Sequence, residues 1–187
     1  NALAIYSLTD RAHPTRVGTY SLPPGKALNS ISIYDTVAIL SMYSDGVALV
    51  SIADPTQPVL INTIPGFSAC AINSDSILSF ISATDSGDFF VYSIHDPSQP
   101  SFLGSIELGL FNISYFSISS DTGFVYFDTY SVDVSQPTQP KGSGRFASRE
   151  FISDILGWNR YILFCDYYSL TILRNDAITD VRADGRI

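Results

Sequence analysis

The chain has 187 residues, 45% apolar and 15% charged, with a formal charge of −8. Its apolar content lets it bury a core, which excludes compositional disorder. Its acidity makes nucleic acid and anionic membrane surfaces poor partners. Lys26 and Lys141 are the only lysines, Glu107 and Glu150 the only glutamates and Met42 the only methionine, so residues that fill helices are scarce. Ser, Thr, Tyr, Phe, Ile and Val favour strands instead.

Short apolar runs alternate with Asp, Gly and Pro turns along the chain. Two predicted strands, 3–8 and 16–20, open it. Three units of four predicted strands follow, at 29–64, 68–106 and 112–146. In the middle unit the strands fall at 69–72, 77–81, 89–94 and 100–106. Residues 151–174 then supply a first strand at 151–156, a second at 161–165 and a run at 170–173 that reads as a third. The uncharged stretch 55–74 is long enough to cross a bilayer, but Pro55, Pro58, Pro65, Gln57 and Asn62 would insert badly, so no membrane insertion is expected. No basic-then-apolar leader is visible. Cys70 and Cys165 have no metal-ligand spacing. They read as two buried free thiols, with a single disulfide as the alternative, and the redox compartment stays open.

The units repeat in sequence. Tyr6-Ser-Leu-Thr-Asp-Arg-Ala-His-Pro14, Val50-Ser-Ile-Ala-Asp-Pro-Thr-Gln-Pro58, Tyr92-Ser-Ile-His-Asp-Pro-Ser-Gln-Pro100 and Val132-Asp-Val-Ser-Gln-Pro-Thr-Gln-Pro140 align, and their last prolines are 44, 42 and 40 residues apart. Downstream, 17–20 matches 61–64 and 103–106, with 143–146 a looser fourth copy. The strands are apolar on both faces, as in 47–50 and 124–127, so each sheet is covered twice. Four-stranded antiparallel sheets of about 42 residues, each covered by its neighbours, are β-propeller blades. The expectation is one all-β propeller region over 1–187 with about four blades, alone or within a larger propeller, and partial blades at 3–20 and 151–174. A four-blade ring closed by its own ends would pair 3–8 with 161–165. The third-strand signature at 170–173 argues instead that the chain is an excerpt of a longer propeller or is held by partner chains.

The hydrophobic-x-hydrophobic-x-Asp-Pro-Thr-x-Pro run, followed by a hydrophobic-Gly strand, resembles the LVIVD repeat of bacterial and archaeal propellers. The resemblance covers almost the whole chain. It rests on Ile52, Asp54, Pro55 and Pro58, on Ile94, Asp96, Pro97, Pro100 and Gly104, and on Val134, Pro137, Pro140 and Gly142 or Gly144. Arg11 departs from the first Pro of the motif and Gln136 from the Asp. The resemblance implies a secreted or surface-exposed module and supplies no catalytic signature.

The search for chemistry is correspondingly spare. His13 and His95 both fall in the corner between third and fourth strands, on the outer part of a blade, away from the axis. No phosphate-cradling loop or zinc spacing occurs. No cofactor is expected, and Asp85 with Asp88 is the nearest approach to a calcium site. Asn112-Ile-Ser114 is a glycosylation sequon of the kind Ser-rich chains carry by accident. Trp158, beside Arg160, lies at a first-to-second-strand turn on the opposite face, where its ring is expected to pack under the neighbouring loop, with an exposed contact as the alternative. The remaining candidate is a rim. Second-to-third-strand loops and blade-to-blade loops share one face of a propeller, and here they carry Tyr43, Asp45, Asp85, Asp128, Tyr130, Asp166, Tyr167 and Tyr168. Aromatic rings beside carboxylates suit a protein or glycan partner, or other chains of a larger assembly. The expected function is thus a non-enzymatic extracellular or cell-surface interaction or structural module. The alternative is an enzyme of the glycoside hydrolase or lyase type, with Asp45, Asp128 or Asp166 as acid or base at the axis.

Overall fold

The computed structural model describes residues 1–42, 45–65, 67–72, 77–82, 88–108, 118–121, 123–127, 129–146, 152–158, 161–166 and 168–174. Among these, every regular element is a strand, and every pairing is antiparallel. The first sheet holds β1 (Ala2–Ser7) and β2 (Thr15–Ser21). The second holds β3 (Ser30–Tyr34), β4 (Val37–Ser41), β5 (Val47–Ser51) and β6 (Val59–Ile64), paired in chain order. The third is built likewise from β7 (Phe67–Ile72), β8 (Ile77–Ser82), β9 (Asp88–Ser93) and β10 (Ser101–Glu107). The fourth comprises β11 (Ile118–Asp121), β12 (Phe124–Phe127), β13 (Tyr130–Asp133) and β14 (Lys141–Arg145). The fifth has three strands, β15 (Asp154–Trp158), β16 (Tyr161–Cys165) and β17 (Leu170–Arg174). Each sheet is an up-and-down meander.

Side-chain alternation explains why these sheets stack. Successive residues of a strand point to opposite faces. On β4 and β5, Ala38, Leu40, Ala48 and Val50 pack with Leu3 and Tyr20 of the first sheet. Val37, Ile39, Val47 and Leu49 pack the other way, against Phe90, Tyr92 and Ile94 of the third. The pattern continues. Phe89 and Val91 meet Val125, Phe127, Val132 and Val134 of the fourth sheet, while Phe124, Tyr126 and Phe146 meet Ile155, Ile162, Phe164 and Leu173 of the fifth. Among the described residues, the core is therefore four interfaces between consecutive sheets. First strands of successive sheets also touch, β3 with β7, β7 with β11 and β11 with β15. Gly157 N–H donates to Ser119 Oγ across the last of these contacts at 2.9 Å. First strands thus lie inside and fourth strands outside.

The repeated corner is a turn built from local chemistry. Gln57 N–H donates to the Asp54 carbonyl at 3.1 Å, and Gln99 N–H to the Asp96 carbonyl at 3.0 Å. Pro55 and Pro97 hold the second turn position at the required φ. The Thr56 hydroxyl and N–H donate to Asp54 Oδ1 at 2.6 and 2.9 Å, and Ser98 treats Asp96 identically. Where Arg11 replaces proline, Asp10 still takes the Ala12 N–H and pairs with His13 Nδ1. Where Gln136 replaces aspartate, the turn still closes through the Gln139 N–H, which donates to the Gln136 carbonyl at 2.9 Å.

The corner also joins the sheets. In every third-to-fourth strand pair the register slips by one residue, just before Gly18, Asn62, Gly104 and Gly144. The first three of those residues each meet the next sheet's corner. A Cβ on Gly18 would overlap the Pro55 carbonyl oxygen, and one on Gly104 would stand 2.8 Å from the Pro137 carbonyl oxygen. Asn62 Nδ2 donates to the Ser98 carbonyl at 2.8 Å. The fourth strand is thus the seat, and the next sheet's proline corner is what sits in it.

Acid should loosen these corners. The hydroxyl donor first, then the backbone N–H, holds Asp54 and Asp96 below the ordinary aspartate value, and His13 does so chiefly for Asp10. A carboxylate lowered on folding contributes stability above its unfolded-state value and loses it as pH falls through the folded-state value. Asp54→Asn and Asp96→Asn are therefore expected to flatten the decline in urea midpoint below about pH 4, without altering its shape above pH 6. A parallel acid limb in both variants would contradict this.

Candidate functional site

The rim is built by the turns between second and third strands and by the links between sheets. Direct contacts show that the two sets share a face. Lys26, in the β2–β3 link, forms an ion pair with Asp45 in the β4–β5 turn. Within the fourth sheet, the Arg145 guanidinium at the end of β14 lies 4.4 Å from the ring centroid of Tyr130, its partner at the start of β13. Ser153, in the link before β15, donates from N–H and Oγ to the Cys165 carbonyl at the end of β16.

Each contact has a local cause. The β4–β5 turn closes through Gly46, whose φ of +95° suits a residue without Cβ. Met42 N–H donates to the Gly46 carbonyl, and Asp45 N–H to the Met42 carbonyl. This fixes the Asp45 carboxylate within reach of Lys26, both side chains being partly shielded. Tyr130 belongs to a column of rings. Phe89 stacks on Phe127 and Phe127 on Tyr130, each at 5.9 Å with planes 15° apart, and Arg145 covers the end. In the β16–β17 turn, Asp166 Oδ1 accepts from Tyr168 N–H, Ser169 N–H and Ser169 Oγ at 2.8–3.1 Å. That turn leaves the Tyr168 side chain 83% exposed.

Of the sequence-predicted rim residues, Asp45, Tyr130, Asp166 and Tyr168 thus fall on three sheets at the same end of their strands. Tyr43, Asp85, Asp128 and Tyr167 lie outside the described residues. Asp88 opens β9, opposite Glu107 of β10. No group of three metal-ligating side chains occurs among the described residues. His13 and His95 sit in the exposed corners, as their alignment implies. Cys165 is a free thiol, half-buried rather than buried. The Cys70 side chain lies outside what is described.

Two features escaped sequence reasoning. Lys26, in the link before β3, pairs with Asp45, and Arg145, at the end of β14, covers the Tyr130 ring, pairings that neither residue's neighbours in sequence signal. Trp158 is not packed under a loop. It closes β15 opposite Tyr161, with its ring on the outer face of the fifth sheet, 61% exposed.

Comparison with known proteins settles the architecture. No protein-family model and no curated protein matches the sequence. Among solved structures, the periplasmic gluconolactonase of Pseudomonas aeruginosa superposes with a TM-score of 0.70 at 12% identity, covering 97% of this chain and 61% of that one. The Cps50 (Swd1) β-propeller domain of Myceliophteria thermophila superposes at 0.64 and 9% identity, over 90% of this chain and 62% of that one. The fold is a β-propeller. The computationally designed Ika4 protein is also similar, with a TM-score of 0.58 at 11% identity over 81% of this chain and 93% of that one. The chain spans about three-fifths of the two natural propellers it matches. Its own strands do not close a four-blade ring in the way the alternative sequence reading required. β16 pairs with β15 and β17, and β1 pairs with β2.

Proposed function

We propose that the chain is a single non-enzymatic propeller module, of the LVIVD-repeat kind, that presents its loop rim to a protein or glycan partner outside the cell or at its surface. The observation that carries this reading is the condition of the rim carboxylates. Asp45 is engaged by Lys26, and Asp166 is engaged by three donors of its own turn. Both carboxylates are thus committed to holding the rim's own turns, which suits a binding surface. Similarity to a gluconolactonase and to the Swd1 propeller domain is a likeness of fold, and a fold does not choose between catalysis and binding.

Tyr168 offers a ring that a partner would meet, and the Asp45–Lys26 and Tyr130–Arg145 pairs add polar groups at the same end of the strands. The module reading asks for no cofactor. It is tested by assaying the chain against a panel of chromogenic glycosides, uronide oligosaccharides and aldonolactones, alongside Asp45→Asn and Asp166→Asn. The expected result is no turnover above buffer for any of the three proteins. Turnover that either substitution removes, with the fold intact by circular dichroism, would overturn the proposal in favour of a carboxylate enzyme.

A further inference from the structure

The two outermost sheets carry the two halves of one interface. β17 and β16 repeat β5 and β4. Their pairings, Tyr161 with Arg174 and Leu163 with Ile172, match Val37 with Ser51 and Ile39 with Leu49. Tyr161, Leu163, Leu170 and Ile172 therefore stand where Val37, Ile39, Val47 and Leu49 stand in the second sheet. Those four are buried because the third sheet lays Phe90, Tyr92 and Ile94 on them. On the fifth sheet no residue among those described does so, and Leu170 is 66% exposed. Leu156 and Trp158 extend the same apolar face along β15 and are exposed as well.

At the opposite end of the stack, Ala4, Tyr6 and Leu8 are the first-repeat counterparts of Phe90, Tyr92 and Ile94. Ile94 is fully buried against the second sheet, whereas Leu8 is 62% exposed and Tyr6 is exposed too. The chain thus displays a donor face and an acceptor face that, at its internal boundaries, find each other. Soluble proteins rarely leave contiguous apolar faces uncovered.

We infer that copies of this chain associate head to tail, with the outer face of the fifth sheet on one copy (Leu156, Trp158, Tyr161, Leu163, Leu170 and Ile172) covering Ala4, Tyr6 and Leu8 of the next. The contact continues the blade-on-blade packing of the interior. It is heterologous, so it closes into a ring or extends into a filament according to the rotation per copy. It is independent of the rim and stands or falls without it.

Trp158 is the only tryptophan, so its fluorescence reports on this face alone. Sedimentation velocity and Trp158 emission are to be followed from 0.5 to 500 μM for the full chain, Leu8→Glu, Leu170→Glu and an equimolar mixture of the two variants. Both substituted positions are exposed, and unchanged circular dichroism and Tm confirm folding. The expected result is a mass that rises with concentration in step with a blue shift of the emission, and association at least tenfold weaker in either variant alone. The mixture should recover a heterodimer and nothing larger, because one donor face and one acceptor face remain intact. Three outcomes would overturn the inference. A monomer at every concentration, whether its Trp158 emission is exposed or already blue-shifted by another part of the same chain, contradicts it. So does association that Leu8→Glu leaves unchanged. So does a mixture that recovers nothing.

Discussion

Phe127→Ala is expected to lower the unfolding free energy by about 3–5 kcal/mol, a large part of what a domain of this size possesses. Phe127 is fully buried between the third and fourth sheets. Its ring is the middle of the column that runs from Phe89 to Tyr130 and ends under Arg145. Removing it leaves a cavity between two sheets that cannot collapse independently, because each is pinned on its other face by a further interface. It also withdraws the surface on which Tyr130 rests, so the rim should lose order with the core. Equilibrium unfolding in urea gives the energy. Phe124→Ala, on the same strand but facing the fifth sheet, should cost a comparable amount. A loss under about 1 kcal/mol for Phe127→Ala would mean that the third and fourth sheets are not packed as described.

Gly18→Ala is expected to cost about 1–3 kcal/mol, the usual range for forcing an extra methyl group into a filled space. Here the obstacle is backbone. The new Cβ would overlap the Pro55 carbonyl oxygen, with the Pro55 carbonyl carbon and Thr56 Cα just behind. Either the corner of the second sheet lifts away or β2 shifts, and both open the interface where Leu3 and Tyr20 meet Ala48 and Val50. Gly104→Ala should behave similarly against Pro137 and Thr138. Gly142→Ala is the control. No described atom lies within 4 Å of where its Cβ would be, so its cost should stay within about 0.5 kcal/mol. Thermal unfolding of the three variants side by side decides the matter, and equal losses in all three would remove the corner-and-seat account.

The parts of this architecture that could be read from sequence are those whose causes are local. A proline at the second position of a turn, with an aspartate before it and a hydroxyl two residues after that aspartate, specifies the corner by itself, and its recurrence gave the period. Runs such as 47–50 announce a sheet covered on both faces, because no water-facing strand would be apolar at every position. What could not be read depends on which surface another segment reaches. Nothing around Gly18 or Gly104 in sequence says that a turn some 35 residues later lies against it. Asn62 occupies the same place and contacts the next corner through its carboxamide instead, so the seat is not even a fixed residue type. The Lys26–Asp45 pair was hidden for the same reason, since each residue alone reads as a solvated loop charge. Sequence leaves Trp158 open between a packed and an exposed ring, because coverage of an outer sheet is decided by what lies beyond it, a matter its flanking residues do not encode. The first strand of the fifth sheet also starts at Asp154 rather than at 151. The apolar run before it belongs partly to the link, where Ile152 fills the interface with the fourth sheet.

The three proline corners at Pro55, Pro97 and Pro137 each sit against the fourth strand of the sheet before them. Nuclear Overhauser contacts in the isotope-labelled chain measure this directly. Contacts are expected from the Gly18 Hα protons to Thr56, from the Asn62 side-chain amide to Ser98, and from the Gly104 Hα protons to Thr138. Absence of all three, or contacts from Leu3–Leu8 to Tyr161–Cys165 in their place, would contradict it.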